Sequence, residues 1–205
     1  MTARVLLILP CLDEEAGLQV VLPELPEVEG GLRIVVVDNG SSDRSAEVAR
    51  ELGAEVVAET ERGYGAACLR GMAEHRGEEI VAFVDADGSD YSEELALLLE
   101  PLDAGEADFV IGSRMILAAS RRALLPQSRY GNRLASFLLR TLFALRPCTD
   151  LGPFRAIRAD ALFALGMRDR NYGWTVEKAY RKSQAPCAAR SVRRGRSSGR
   201  SSASA

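Results

Sequence analysis

The chain has 205 residues, and its hydrophobic share of 47% and charged share of 27% are those of an ordinary soluble globular protein. This length fits a single domain, and no apolar run approaches the roughly 18 residues of a membrane-spanning helix, so the sequence predicts no transmembrane segment. The net charge of −3 hides an asymmetry, because residues 178–205 hold eight Lys or Arg and no Asp or Glu. Residues 1–177 therefore carry a charge of −11 and the remainder +8, and for such an acidic body we expect no nucleic-acid partner.

Cysteine usage and the N-terminus favour a cytoplasmic location. The four cysteines are far apart and form no C-x-x-C pair, which predicts neither a zinc site nor a disulfide framework: they are Cys11, Cys68, Cys148 and Cys187. The apolar run at residues 5–9 is brief, and no small-residue cleavage site follows it before Asp13. We therefore interpret this run as a first β-strand rather than a signal sequence.

As far as residue 112, short apolar runs alternate with helical patterns. The runs predict strands at residues 4–9, 32–37, 54–58, 80–84 and 108–112. The intervening segments predict four helices. The first runs from about residue 15 toward 25 with Pro23 interrupting it, and the second runs from a cap at Ser41 or Ser42 to residue 52. The third follows the glycine loop at residues 61–68 and reaches about residue 75, and the fourth spans residues 92 to 104. This alternation predicts an α/β fold with a mostly parallel central sheet and helices on both faces.

The pattern of the second half is less regular. Residues 115–129 lack periodicity and predict a mobile loop, whereas residues 132–145 form an amphipathic to strongly apolar helical pattern. We interpret that helix as part of the core, with a helix lying against a membrane face as the alternative. Beyond it we predict a turn into a short strand near Arg155, a helix from Asp160 to about Leu165, and a last helix that starts within residues 172–177.

Charged residues follow three of the predicted strands at the points where the strands end. Asp38 follows the second strand, Asp85 and Asp87 follow the fourth, and Arg114 follows the fifth. Ligands of open α/β sheets bind outside the carboxyl ends of the strands, so these side chains are expected to share one crevice. Two carboxylates one residue apart repel each other, and a hard divalent cation between them relieves the repulsion. The alternative is a polar turn with solvated aspartates.

A glycine loop, Gly63-Tyr64-Gly65, precedes the third predicted helix. It invites comparison with the dinucleotide-binding fingerprint, but the third glycine is absent and the loop follows the third strand rather than the first. Two interpretations remain open. The glycines either permit a tight turn and close helix packing, or they expose backbone N–H groups to a phosphorylated ligand.

Five motifs occur in a fixed order: residues 9–15, 35–43, 84–87, 111–114 and 150–155. Together they resemble family 2 glycosyltransferases, and most closely the branch of polyprenyl- and dolichyl-phosphate mannosyl- and glucosyltransferases. The resemblance extends over residues 4–177. It implies a GT-A (nucleotide-diphospho-sugar transferase) fold, a UDP- or GDP-sugar donor, Mg²⁺ or Mn²⁺ as cofactor, and transfer with inversion to an acceptor such as a polyprenyl phosphate.

The resemblance also implies roles for individual residues. Those matching the donor-binding positions are Pro10, Leu12, Glu14, Asp38, Asp85, Ala86, Asp87 and Arg114. Asp85 and Asp87 match the D-x-D metal motif with Asp87 as the direct ligand, and Ser89 matches a position where relatives offer a further ligand. Arg129 and Arg155 are expected near acceptor or donor phosphates. Asp150 would take the proton of a hydroxyl acceptor, which makes it a candidate catalytic residue beside Asp87.

The chain departs from the family pattern after Glu177. Relatives continue with a helix, an apolar strand and a basic loop, whereas residues 178–205 are Arg- and Ser-rich and show no strand-like run. We expect residues 1–177 to form the transferase domain, followed by a tail that is disordered, is the product of a frameshift or truncation, or is a basic arm for anionic lipid. A peripheral position at the inner membrane face would suit a lipid-phosphate acceptor. The alternative function is a catalytically impaired nucleotide-sugar-binding module without a complete acceptor side.

Overall fold

The computed structural model describes residues 4–90, 92–113, 154–171, 174 and 189–193. Its strands are β1 (Val5–Cys11), β2 (Leu32–Asp38), β3 (Glu55–Ala58), β4 (Ile80–Phe83), β5 (Phe109–Ser113), β6 (Arg155–Arg158) and β7 (Ala189–Arg193). Its α-helices are α1 (Glu15–Val21), α2 (Ser45–Glu51), α3 (Tyr64–Ala73), α4 (Leu95–Asp103) and α5 (Ala159–Ala164). A 3₁₀ turn at Ser92–Glu94 leads into α4.

The described strands form one sheet in the order β3-β2-β1-β4-β6-β5-β7. The pairs β1/β2, β1/β4, β2/β3 and β5/β7 are parallel, and β6 runs antiparallel to both β4 and β5. Because β6 is reversed, its first residue lies at the edge where β4 and β5 end. Arg155 is thus paired with Phe83 and with Ile111, at the same edge as Asp85 and Asp87.

Helices cover both faces of the sheet, as predicted. Alternate residues of β1 point to opposite faces, so Val5, Leu7 and Leu9 belong to one buried cluster and Leu6 and Ile8 to another. Helices α1, α2 and α4 contribute to the first cluster, and α3 and α5 contribute to the second. A strand buried on both faces explains why β1 is continuously apolar in sequence.

Two local predictions differ from the structure. Helix α1 ends at Val21, two residues before Pro23, rather than continuing toward Leu25. The predicted cap of α2 was wrong, since the helix begins at Ser45 and the hydroxyls of Ser41 and Ser42 bond to Asp13 instead. Sequence periodicity could not show that these serines have partners on another loop.

The expectation that residues 178–205 contain no strand was also wrong. Residues Ala189–Arg193 form β7, which adds to the sheet parallel to β5 with Phe109 paired to Ala189 and Ser113 to Arg193. The apolar content of this segment is too low to predict a strand, so only its position beside β5 reveals it. The rest of this tail, the predicted loop at residues 115–129 and the predicted helix at 132–145 lie outside the described residues, as does the predicted start of the last helix at 172–177 apart from Trp174. Within the described part of the chain, none of the helices is long and apolar enough to cross a membrane.

At the opposite edge of the sheet from Asp85, a buried ion pair joins the starts of β2 and β4. Glu78 is 2% exposed, and its Oε1 accepts a hydrogen bond from Arg33 Nε at 2.6 Å. Its Oε2 accepts from the backbone N–H of Arg76 at 2.6 Å, and Arg33 also pairs with Glu55 at 3.1 Å. Burial by itself raises the pKa of the Glu78 carboxyl, but these hydrogen bonds and the Arg33 charge outweigh burial and lower the pKa overall.

Replacing Glu78 with Gln removes the charge and keeps the shape of the side chain. We expect Glu78→Gln to lower the free energy of unfolding at pH 7 by about 2 kcal/mol, because Arg33 then keeps a neutral partner in a buried position. Since the folded-state pKa is lowered, the stabilisation by ionised Glu78 is complete above the unfolded-state pKa of about 4.3 and is lost as pH falls through the folded value. Urea unfolding of both proteins from pH 7 to pH 3 should show the difference shrinking at acid pH.

The control for this prediction is Glu47→Gln, since Glu47 also pairs with an arginine, Arg44, at 3.0 Å but its side chain is 63% exposed. Exposed pairs contribute little, so we expect a change within about 0.5 kcal/mol. An equal loss in the two variants would contradict the importance of burial at Glu78.

Candidate functional site

A pocket of about 440 Å³ opens at the carboxyl edge of the sheet. It is bounded by the segments that follow β1, β2 and β4, by the start of α3, and by a residue beyond α5. Its lining residues are Pro10, Cys11, Leu12, Glu14, Asn39, Arg62, Gly63, Tyr64, Ala67, Asp85, Ala86, Asp87 and Asn171. The pocket thus lies where the topology of an α/β sheet places ligands.

The loops after β1 and β2 are joined by reciprocal hydrogen bonds. The backbone N–H of Asp13 donates to Ser41 Oγ at 3.0 Å, and Asp13 Oδ1 accepts from the N–H of Ser42 at 2.6 Å. The N–H of Glu14 donates to Ser45 Oγ at 2.8 Å. Asp13 has a φ of 56°, a value that few residues other than glycine adopt, and these bonds hold it there. Leu12 and Glu14, which flank Asp13, are therefore held at the pocket by the neighbouring loop.

Helix α1 contacts the segment that carries the two pocket carboxylates. A Cβ atom on Gly17 would lie 2.1 Å from the Ala86 carbonyl oxygen and 2.9 Å from the Asp87 Cα. Contacts this short are impossible for a side chain, so only glycine at position 17 lets the backbone of Ala86 and Asp87 pass so close to the helix. This contact places Asp87 next to the loop that contains Glu14.

Asn39 connects the end of β2 to the glycine loop. Its Nδ2 donates to the carbonyl oxygens of Glu59 at 3.0 Å and Glu61 at 2.7 Å, and its Oδ1 accepts from the N–H of Gly63 at 2.8 Å. Asn39 is 6% exposed, so all of these bonds are shielded from water. A buried side chain with each of its polar atoms bonded fixes the loop in one conformation.

The segment after α5 packs directly on the start of α3. The N–H of Ala66 donates to the Arg170 carbonyl at 2.9 Å, and Arg170 Nε pairs with Glu61 at 2.7 Å. A Cβ on Gly63 would lie 2.2 Å from the Arg170 carbonyl oxygen, and one on Gly65 would lie 2.2 Å from that of Asp169. The glycines therefore permit close packing of two chain segments. The N–H groups of Gly63 and Ala66 already donate to protein acceptors, so these two donors are not available to a phosphate at this helix start. Of the two interpretations of the glycines, this favours close packing.

Asp85 lies between a tyrosine and an arginine. The Tyr64 hydroxyl donates a hydrogen bond to Asp85 Oδ1 at 3.2 Å, and Arg155, which is 2% exposed, contributes a positive charge that offsets part of the rise that burial causes in the pKa of Asp85. Burial raises the pKa of the Tyr64 hydroxyl far above its ordinary value, so the hydroxyl stays protonated and acts as the donor.

Negative charge is concentrated at this end of the pocket. Burial, followed by the charges of Asp90 and Asp87, raises the pKa of Asp85 to about 6. Burial, followed by the charges of Asp87 and Asp43, also raises the pKa of Glu14. A cation bound between these acids would favour their ionised forms, so the electrostatics of the pocket suit a positively charged ligand.

The residues present fit a hard divalent cation that is only partly coordinated by protein. Among the described residues, no group of three His, Cys, Asp or Glu side chains is arranged to hold a metal by itself. Asp85 and Asp87 provide two carboxylates, and Mg²⁺ is often held by one or two carboxylates with the other positions taken by water and substrate phosphates. Ser89 is exposed and its N–H donates to Asp87 Oδ1 at 2.8 Å, which orients that carboxylate.

The structure brings together six of the residues that the sequence assigned to the donor: Pro10, Leu12, Glu14, Asp85, Ala86 and Asp87. Asp38 lies just outside the pocket wall and accepts a hydrogen bond from the N–H of Ser41 at 2.8 Å, and its neighbour Asn39 forms the wall. Arg155 is buried at the pocket edge of the sheet. The remaining predicted site residues, Arg114, Arg129 and Asp150, lie outside the described residues.

Sequence reasoning did not select seven of the lining residues, and four of these seven have polar side chains that could contact a ligand: Asn39, Arg62, Tyr64 and Asn171. A signal was present for three of them. Asn39 directly follows a strand-end aspartate, and Arg62 and Tyr64 flank a glycine whose loop had been noticed. Asn171 had no such signal, because it reaches the pocket only through the packing of its segment on α3.

The chain is similar to known glycosyltransferases. Residues 6–165 match the family described as Glycosyl transferase family 2. An uncharacterised glycosyltransferase of Mycobacterium tuberculosis is 40% identical over 181 residues, which cover 88% of this chain and 79% of that protein. The undecaprenyl-phosphate mannosyltransferase of Micrococcus luteus is 31% identical over 193 residues, covering 88% of this chain and 78% of that protein.

A solved structure with the same fold is glucosyl-3-phosphoglycerate synthase of Mycobacterium tuberculosis, in complex with Mn²⁺, UDP and glucosyl-3-phosphoglycerate. It superposes with a TM-score of 0.69 at 23% identity, and the match covers 93% of this chain and 70% of that one. The similarity confirms the predicted GT-A fold.

The close contact between α1 and Ala86 can be tested by replacing Gly17. In a solvent-facing helix, Gly→Ala raises stability by about 1 kcal/mol, but at position 17 the methyl group would meet backbone atoms that have no space to yield. We therefore expect Gly17→Ala to lower the free energy of unfolding by about 1 to 3 kcal/mol, measured by urea unfolding. Gln19→Ala, on an exposed position of the same helix, is the control and should change stability by less than about 0.5 kcal/mol. A more stable Gly17→Ala variant would contradict the close contact.

Proposed function

Since the chain belongs to Glycosyl transferase family 2, and is thus a glycosyltransferase, we propose that it transfers a sugar, with inversion, from a UDP- or GDP-sugar to a polyprenyl phosphate. The observation that carries this proposal is the convergence of Asp85, Ala86 and Asp87 with the segment from Pro10 to Glu14 in one pocket. The mannosyltransferase of Micrococcus luteus described above is named for undecaprenyl phosphate, which supports a lipid phosphate as acceptor.

In this proposal the nucleoside end of the donor lies against Pro10 and Leu12. Leu12 is 41% exposed, and an apolar side chain left open at a pocket wall offers a surface for a planar base. Glu14 and Asp38 accept hydrogen bonds from base or ribose, and Asp85 and the Ala86 backbone lie along the donor between nucleoside and diphosphate. Arg114 binds a donor phosphate, a role that suits the fork of a guanidinium group.

Asp87, assisted by Asp85, would hold Mg²⁺ or Mn²⁺, and Ser89 orients Asp87. Asp87 is the better direct ligand because it is exposed in the pocket, whereas Asp85 is partly buried and already accepts the Tyr64 hydrogen bond. When bound, the metal stabilises the negative charge that develops on the departing diphosphate. The structural neighbour that was crystallised with Mn²⁺ and UDP supports this assignment.

The acceptor determines whether a base is required. A lipid phosphate has a second pKa of about 6 and is already anionic near neutral pH, so its oxygen attacks without losing a proton to the protein. A hydroxyl acceptor would instead need a carboxylate such as Asp150. Arg129 and Arg155 are proposed to attract the acceptor phosphate, Arg155 from its buried position at the edge of the pocket through its charge rather than by direct contact.

We propose that residues 1–177 together with β7 form the transferase domain, and that the remaining residues of the basic segment 178–205 face the membrane. Positive charge in this segment would attract the anionic surface of the cytoplasmic leaflet, which places the enzyme at the inner membrane face as a peripheral protein.

Attraction of this kind is screened by salt, so binding to vesicles with anionic lipid should weaken as the salt concentration rises.

The direct test of the proposed function is Asp87→Asn. We expect the variant to lose sugar transfer by a factor of about a hundred or more, because the charge on the leaving diphosphate is no longer compensated, while the free energy of unfolding stays close to that of the parent. Transfer is measured by mass spectrometry, with a panel of UDP- and GDP-sugars as donors and polyprenyl phosphate as acceptor.

Asp160→Asn provides the matched control, since Asp160 is exposed on α5 and does not line the pocket. Its transfer rate should equal that of the parent. A rate of sugar transfer in Asp87→Asn equal to that of the parent would contradict the assignment of Asp87 as a metal ligand. Binding of a nucleotide sugar by the parent without turnover on any acceptor would favour the impaired binding module instead.

A further inference from the structure

We propose that Tyr64 is a positioning residue for Asp85: its hydroxyl keeps the Asp85 carboxylate turned into the pocket, where the donor and its metal ion bind. This inference rests on the proposed function and adds to it a residue outside the D-x-D motif. Tyr64 is the first residue of α3 and lines the pocket together with Asp85. The hydroxyl donates to Oδ1 of Asp85 at 3.2 Å, which leaves Oδ2 for a ligand.

The charges around Asp85 explain why the carboxylate needs to be held. Asp90, which is 4% exposed, and Asp87 both raise its pKa, so they repel its ionised form. Arg155 of β6, which is paired with Phe83 of β4, is a nearby cation that attracts it, and β6 lies on the side of β4 away from β1. Neither the repulsion nor the attraction fixes one orientation of the carboxylate, which therefore needs a hydrogen bond to hold it in the pocket.

Tyr64 lies at the start of α3. Helix α3 packs over β1 and β2, where a Cβ on Gly71 would lie 2.4 Å from the Ile8 side chain and 3.1 Å from that of Val37. A hydrogen bond donated from α3 therefore ties the carboxylate to the helix that forms this wall of the pocket. Hydrogen bonds to an ionised group are worth more than those between neutral groups, so one hydroxyl is sufficient to decide the orientation.

The backbone on both sides of Tyr64 is fixed before any ligand binds. Before it, the N–H of Gly63 donates to the buried Asn39 side chain at 2.8 Å. After it, the N–H of Ala66 donates to the Arg170 carbonyl at 2.9 Å, and Gly65 lies against the backbone of Asp169. The tyrosine thus enters the pocket from a rigid support, which is the condition for positioning another side chain.

The test is Tyr64→Phe, which keeps the ring and removes the hydroxyl. Mn²⁺ is titrated in the presence of UDP, and separately of GDP, and free Mn²⁺ is measured by electron paramagnetic resonance. We expect the dissociation constant of Mn²⁺ in the ternary complex to rise about tenfold, the effect of losing one hydrogen bond to a charged group. Excess Mn²⁺ should restore the rate of sugar transfer, because the chemical step itself is unchanged, whereas a merely structural defect would not respond to metal.

A crystal structure of Tyr64→Phe gives a readout that does not depend on the activity. We expect the Asp85 carboxylate to leave the orientation in which Oδ1 faces residue 64. Parent-like Mn²⁺ affinity, an unmoved Asp85, or a loss of transfer that excess Mn²⁺ fails to restore would each overturn the inference and leave the proposed function standing. If the parent protein binds no Mn²⁺ in the presence of either UDP or GDP, and transfers no sugar, both the proposed function and this inference are overturned.

Discussion

The close contact between Gly17 of α1 and the backbone of Ala86 is the constraint on which the pocket depends. The segment of Asp85, Ala86 and Asp87 leaves β4 with its carboxylates close together, and nothing in the sheet itself determines its direction. Contact with the helix excludes any side chain at position 17 and sets the path of the segment beside the loop that contains Glu14. The glycine pair at positions 63 and 65 does the same for the opposite wall, where α3 meets the segment of Asp169 and Arg170.

The carboxylates crowded in this pocket suit the binding of a ligand and do not stabilise the fold. Asp85, Asp87, Asp90 and Glu14 bring negative charge to one end of the pocket, and burial together with these charges raises the pKa values of Asp85 and Glu14. Such crowding works against the folded state until a cation arrives. By contrast, Glu78 at the other edge of the sheet has a lowered pKa and a buried arginine partner, as expected of a group that stabilises the fold.

Much of the fold could be predicted because buried parallel strands are continuously apolar in sequence and the turns after them are polar. The strands β1 to β5 lie within two residues of their predicted bounds, and the carboxylates of the D-x-D motif were placed at the correct sheet edge. The helix caps and β7 were missed for physical reasons. Ser41 and Ser42 bond to a loop 28 or more residues away in the chain, and β7 has no apolar pattern and is recognised only by its register with β5.

The sequence by itself therefore determined the α/β class, the family and the acids that reach the pocket, because strand periodicity and short motifs are local properties of the chain. Only the tertiary structure decided which other groups surround those acids. Tyr64 reaches Asp85 because α3 packs over β1, Arg155 reaches it because β6 is antiparallel, and Asn171 reaches the pocket because its segment covers the start of α3. Each of these neighbours is brought in by packing between elements distant in sequence, and no local pattern of residues records such packing.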